Sequence, residues 1–256
     1  MKLKNDKVVK LMLGFVTDQI DLIVATPLGF LFKQLYVHFP NAKRNTGFYE
    51  SYLITGINGK RVLLIKTAQG IQCQDIFWPF LDASILFVGY AGGISSRVRL
   101  GVVYAVDFAT HPSDYNKTIH LNRKRGKDKR GFLSMQQWYL YRESNKLECL
   151  CLDKGIKVGY SPAMIGEIAD TFCNNARQSE CDIVDMEISH CANVCLENRS
   201  NFEAIVLITD LPGNINFWEL GINDQEVVSD GSMVLLSTVV EYIKEEVLGD
   251  WRTNLH

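Results

Sequence analysis

The chain is 256 residues long, with 47% hydrophobic and 22% charged residues, proportions that exclude a disordered, collagen-like or disulfide-scaffold protein. Its 27 Lys and Arg against 29 Asp and Glu give a formal charge of −2, without the basic excess of a general nucleic-acid binder. A chain of this length buries enough surface to hold a core without a metal or a disulfide.

The N-terminal MKLKNDKVVKLMLGF carries an apolar run that breaks at Thr17-Asp18, so it reads as neither a signal peptide nor a membrane span. Leu22–Ala25 is the first predicted strand; it ends in Thr26-Pro-Leu-Gly29, and a helix is predicted over 28–38. Asn58-Gly59 is a hairpin signal joining Ser51–Gly56 to Arg61–Lys66. A helix over 72–82 leads to the strand Ser84–Val88, which runs into the glycine-rich turn Gly89-Tyr-Ala-Gly-Gly93, and Gly101–Asp107 is the next strand. Residues 123–130, RKRGKDKR, hold six basic residues and one acidic one. Within 122–131 they read as a basic surface loop, either simply solvated or acting as a lid over a charged substrate, with a nucleic-acid arm third because no aromatic stacking platform interleaves the run. Helix 162–177, strand Asp182–Asp185, helix 187–198, strand Ala204–Thr209 and helix 231–248 complete the order. Nearly continuous Val/Ile/Leu strands alternating with helices predict an α/β fold. The simplest form is a single domain over 1–256, three layers α/β/α around a central mixed, mostly parallel sheet.

The seven cysteines, at 73, 149, 151, 173, 181, 191 and 195, form no Cys-x-x-Cys pair. Cys191 and Cys195 with His190 imitate a ligand cluster on one helical turn. Ile188, Cys191, Ala192 and Cys195 trace an apolar helix face, however, so these thiols are expected in the core and no metal is predicted. Reduced thiols fit a cytoplasmic protein.

Ligands of open α/β sheets bind beyond the carboxyl ends of the strands. Three such ends carry unusual residues: the glycines of 89–93, Met186-Glu187 after Asp182–Asp185, and Asp210 before Leu211-Pro-Gly213. Taken singly, Asp210 is a turn-initiating residue and Glu187 a carboxylate complementing a helix dipole. Together, two carboxylates and a glycine turn at one sheet edge read as a constellation.

Residues 87–114, FVGYAGGISSRVRLGVVYAVDFATHPSD, resemble the G-x-A-G-G … G-D-V-V segment of the nucleoside phosphorylase and nucleosidase superfamily. CDIVDMEISHCANVCLE (181–197) resembles its D-M-E segment, and AIVLITDLPG (204–213) is similar to the strand that ends in its catalytic aspartate. VLLIKTAQGIQCQDI (62–76) resembles, more loosely, its s-G-i-G strand and helix start. The four segments keep the family's order over most of the chain.

The resemblance implies cleavage of the N-glycosidic bond of a purine-type nucleoside or nucleotide-like metabolite. It also implies a homodimer or larger homo-oligomer, with no cofactor and no nucleic-acid or membrane partner. Asp210 matches the acid that protonates the departing base, a general-acid step. Glu187 matches the glutamate that accepts the ribose 2′- and 3′-hydroxyls, and Met186 the methionine on the sugar face. Tyr90, Ala91 and Gly92 lie in the glycine turn. Tyr160 is the ring nearest the base, with Ala163 or Met164 at the expected aromatic position, and Phe217 and Trp218 are placed to close the pocket. Thr26, His111 or Asp114 are the candidates to hold an attacking water.

The departures concern the nucleophile. Gly29 stands where phosphorylases of the family carry a phosphate-binding arginine and near where hydrolases carry a water-orienting glutamate. Phe87 and Tyr90 stand at the second anion turn, in place of arginine and serine. Without an arginine fork a phosphate loses its strongest charge-assisted bonds, so hydrolysis is the expected reaction unless Arg97, Arg99 or the basic loop supplies the charge. The alternatives are a phosphorylase or ribosyl transferase with a relocated anion site, and a catalytically degenerate relative that only binds its ligand.

Overall fold

The strands of this chain are assembled around Ile, Leu and Val side chains that alternate between two cores. In β5 (Arg61–Lys66), Leu63 and Ile65 face one core while Val62 and Leu64 face the other, as a period of two requires. The computed structural model describes residues 2–3, 5–15, 20–121 and 155–248. The basic run 123–130, Cys149 and Cys151 lie outside the described residues.

Before β5 come β1 (Lys2–Leu3), α1 (Asp6–Leu13), β2 (Leu22–Thr26), α2 (Gly29–His38), β3 (Lys43–Thr46) and β4 (Glu50–Thr55). A 3-10 turn (Gly70–Ile76), β6 (Phe80–Leu81), β7 (Ser84–Gly93), β8 (Val103–His111) and β9 (Asp114–His120) follow. The last part holds β10 (Ile156–Tyr160), α3 (Gly166–Gln178), β11 (Ile183–Asp185), α4 (Ile188–Glu197), β12 (Asn201–Asp210), a 3-10 turn (Phe217–Glu219) and α5 (Ile222–Leu248). Among the described residues no helix is long and apolar enough to cross a membrane.

The main sheet runs β3-β4-β5-β2-β7-β12-β8-β10-β11, with β9 pairing the last part of β8 off this path. β11 returns to pair with β7, so β7, β12, β8, β10 and β11 close into a small barrel. This corrects the expected mostly parallel sheet. Among the described residues, the five parallel pairings of the main sheet are matched by five antiparallel ones. The antiparallel share comes from the hairpins β3–β4, β4–β5 and β8–β9, and from β8 and β11 running against β12 and β7.

One core lies between the sheet and α1, the first 3-10 turn and α4, and includes Val9, Phe77, Phe87, Ile188 and Ile208. The other lies under α2 and α5 and includes Phe32, Leu86, Leu207 and Val239. Cys191 and Cys195 are buried in the first core beside Cys73, and burial pushes their thiols well above the usual range. They are core residues, as the apolar helix face predicts.

Two elements differ from expectation for a local reason. The helix predicted over 72–82 shrinks to the 3-10 turn 70–76, because Pro79 has no N–H to continue it and disfavours helical backbone at Trp78. The C-terminal helix starts at Ile222 rather than Gly231 and runs straight through that glycine. A Cβ on Gly231 would stand 2.3 Å from the Gly101 carbonyl oxygen, so the glycine is there for a close approach of backbones rather than as a break. Gly231→Ala is expected to lower stability by about 1–3 kcal/mol, the range for overpacking, read as a lower urea midpoint with an unchanged slope.

Candidate active site

The site forms where β12, β7 and β11 meet. Asp210 ends β12 opposite Gly92 of β7, and Gly92 in turn faces Val184 of β11. A Cβ on Gly92 would lie 3.3 Å from Asp210 Oδ2 and 2.9 Å from Pro212 Cγ. The missing side chain therefore lets the Asp210 carboxylate and the turn behind it settle on the strand. Gly93 is equally crowded, by Leu211 and Val98. The glycine stretch is thus not the open turn that the sequence suggests; β7 continues through it to Gly93, and its last two residues close the barrel against β11.

Three hydrogen bonds hold this end in place. The Thr209 hydroxyl donates to Asp210 Oδ1 at 3.2 Å. From α3, the Arg177 guanidinium donates to the Pro212 carbonyl at 3.0 Å and to the Ile94 carbonyl at 3.4 Å, fastening the turn after Asp210 to the strand end after Gly93. Burial raises the Asp210 carboxyl above the usual carboxylate range, against a smaller opposing pull from the Thr209 hydroxyl. A carboxyl that keeps its proton closer to neutrality is suited to general-acid work.

Glu187 immediately precedes α4 and is 7% exposed. Its side chain makes no cap bond to that helix; Oε1 instead accepts the Gly70 N–H at 2.6 Å, from a residue 117 positions away. Asp185 takes the helix-end role, its two oxygens accepting the Ile188 N–H at 3.1 and 3.0 Å. Burial raises the carboxyls of both residues, Asp185 further because the Glu187 charge adds to its burial. The Gly70 and Met186 N–H groups pull Glu187 back toward its ionised form. Met186 reaches the same place, its Cε 3.7 Å from where a Cβ on Gly70 would stand.

Tyr160 ends β10 opposite Asp185, and its half-buried hydroxyl is raised by burial first, then by the charges of Glu187 and Asp185. Its ring stands edge-to-face on His190 at 4.5 Å. His190 Nε2 is buried and has no hydrogen-bond partner among the described residues, while burial and His111 lower its pKa and keep the ring neutral. The structure thus places Asp210 beside Gly92, and Glu187, Met186 and Tyr160 around Gly70 and the end of the adjoining strand β11, with Ala91 buried in the first core.

Other expected residues lie elsewhere. Tyr90 points to the opposite face, where it packs in the core under α5 and its hydroxyl meets Ser232 Oγ at 3.3 Å. Alternation along β7 explains this, since Ala91 and Tyr90 cannot share a face. Thr26 is buried at the end of β2, its hydroxyl accepting the Leu28 N–H at 3.1 Å. His111 Nδ1 is engaged by Ser113, and the Asp114 carboxylate by the Asn116 N–H and Lys117. Phe217 and Trp218 are exposed in their 3-10 turn. Arg97 is committed to Asp182, to which its Nη1 donates at 3.1 and 3.0 Å.

Sequence reasoning gave no site role to Asp185, Gly70 or Lys66, and weighed His190 only as part of a metal-like cluster. A signal existed for two of them: Asp185 shares the D-M-E segment with Glu187, and His190 follows Glu187 by three positions on one helix face. Lys66 pairs in register with Thr26, and its Nζ lies 3.6 Å from where a Cβ on Gly29 would stand.

The fold has structural counterparts. No family model and no curated protein matches the sequence. Among solved structures, the 5′-methylthioadenosine/S-adenosyl homocysteine nucleosidase of Campylobacter jejuni is similar with a TM-score of 0.65 at 11% identity, over 88% of this chain and 99% of that one. A futalosine hydrolase mutant of Helicobacter pylori gives 0.63 at 10% identity, over 88% and 99%. Uridine phosphorylase from Vibrio fischeri gives 0.60 at 14%, over 89% and 93%. The chain has the fold of the nucleoside phosphorylase and nucleosidase superfamily. The resemblance drawn from the four sequence segments holds at the level of fold.

Proposed function

We propose that the chain, acting as one unit over 1–256, hydrolyses the N-glycosidic bond of a purine-type nucleoside or nucleotide-like metabolite. The observation that carries this reading is Asp210, seated against Gly92 with its carboxyl pKa raised by burial, together with a buried Glu187 that follows the neighbouring strand β11 and accepts the Gly70 N–H beside Met186. Asp210 protonates the base nitrogen as the C1′–N bond breaks, so that the bond's electron pair leaves on a neutral base. Glu187 accepts a ribose hydroxyl and stabilises the positive charge growing on the ring. Water then adds to C1′ and gives up a proton to the Asp210 carboxylate; a cation of this kind needs only a weakly activated nucleophile. Tyr160 supplies an aromatic wall for the base. The neighbours named as nucleosidase and hydrolase support the reading, as does the commitment of Arg97 to Asp182, which takes it out of phosphate binding. A cytoplasmic homodimer or larger homo-oligomer without a cofactor belongs to the same reading.

One observation favours a second reading. Lys66 stands beside Thr26 and Gly29, at the turn where phosphorylases of the family hold their anion, and a phosphorylase would use it there. A single experiment separates the two: mass spectrometry of products from a panel of nucleosides and nucleotides, with and without phosphate. The expected result is free base with free sugar at a rate independent of phosphate. A sugar 1-phosphate formed only with phosphate overturns the hydrolase.

A further inference from the structure

At the far end of the first 3-10 turn from Gly70, a cavity of about 420 Å³ opens between α1, the β3–β4 turn and Trp78. Its floor is Val8, Leu11 and Met12; its walls are Phe48, Tyr49 and Trp78; and among the described residues its one charged group is Asp75. The Phe48 and Tyr49 rings meet at 83° with centroids 5.2 Å apart, two perpendicular walls of a box. Phe48 and Trp78 are 81% and 49% exposed, an unusual display for rings this large. We propose that this aromatic box binds a small alkylated ammonium ion, its methyl groups against Phe48, Tyr49 and Trp78 and its charge facing Asp75.

Two physical arguments converge. Aromatic faces carry negative charge density that attracts a cation, and a methylated ammonium also takes the apolar contact that the floor provides. Asp75 is exposed, so its pull on a bound cation is screened by water and adds to, rather than replaces, the attraction of the rings. Among the described residues no cation pairs with Asp75. Tyr49 keeps its proton, its hydroxyl raised by burial, then by Asp75 and Cys73, so among the described residues Asp75 is the only formal charge lining the box. The walls are also set in advance. The Phe48 and Tyr49 N–H groups donate to the Leu11 and Met12 carbonyls at 3.0 and 2.8 Å, and Asn198 Nδ2 donates to the Trp78 carbonyl at 3.3 Å. A preformed box loses little freedom on binding.

The test is direct binding to the whole chain and does not depend on its catalytic activity. Choline is titrated by calorimetry against its neutral carbon isostere, in which a tert-butyl group replaces the trimethylammonium. Saturable choline binding with a Kd on the order of a millimolar is expected, with the isostere at least about tenfold weaker. Asp75→Asn should weaken choline by about fivefold and leave the isostere unchanged, while Trp78→Ala should abolish saturation. Phe48→Ala, at a position too exposed to matter for folding, should weaken choline as well. Equal binding of the two compounds, or no saturable binding of choline by the folded chain, overturns the proposal.

Discussion

Replacing Asp210 by Asn is expected to lower turnover by at least about 100-fold and to leave KM close to its original value, the pattern of a lost general acid. The amide still donates a hydrogen bond from the end of β12, but it has no proton to transfer to a departing base. The pH dependence carries the sign of the mechanism. Asp210 acts in its protonated form, and burial raises its pKa, so turnover falls as pH rises through that raised value. The Asn variant should lose this alkaline limb. Stability should move the other way. A carboxyl whose folded pKa is raised contributes stability that is complete below its unfolded value and lost as pH rises through the folded one. At neutral pH the buried charge is therefore a burden, and the Asn variant should melt at the same or a higher temperature, with its activity gone. Near-normal turnover, or an unchanged alkaline limb, removes Asp210 from the chemistry.

The parts of the fold that burial dictates were legible in the sequence. Every residue of β2 is buried, β7 and β12 are buried along most of their length, and each contains an apolar run at its centre. The hairpin between β4 and β5 carries Gly59 at φ +80°, the conformation an Asn-Gly turn needs. What escaped has little apolar signal or depends on distant partners. β3 and β9 are largely solvent-facing and polar, and the barrel closes only because Gly92 and Gly93 meet β11 from another part of the chain. In sequence the glycines look like a turn, which would put Tyr90 in the site; as part of a continuous strand, Tyr90 faces the other core. In the site itself, Asp210 and Glu187 stood out as carboxylates at strand ends. The division of labour between Asp185 and Glu187 did not, since either fits a helix start, and only the fold brings Gly70 to Glu187. Arg97 shows the same limit from the other side: its partner Asp182 lies 85 residues on, so a basic residue that looked free for a phosphate is already spoken for.

Glu187→Gln is expected to cost about 10- to 100-fold in kcat/KM on ribonucleosides and far less on their 2′-deoxy analogues, so that discrimination between the sugars largely disappears. Two features of the structure make the substitution informative. The amide oxygen of Gln can still accept the Gly70 N–H that Oε1 accepts at 2.6 Å, so the loop keeps its place. The second oxygen becomes an NH2 group, a donor facing a hydroxyl that needs an acceptor, and a buried polar mismatch of this kind costs more than a missing bond. Glu187 works ionised. Burial raises its pKa against the pull of the Gly70 and Met186 N–H groups, so activity on ribonucleosides should rise as pH rises through its folded value, giving the acid limb of the profile. The Gln variant should lose that limb and retain the alkaline one set by Asp210. If the wild type handles both sugars alike and the variant matches it, Glu187 serves only to hold the Gly70 loop against α4.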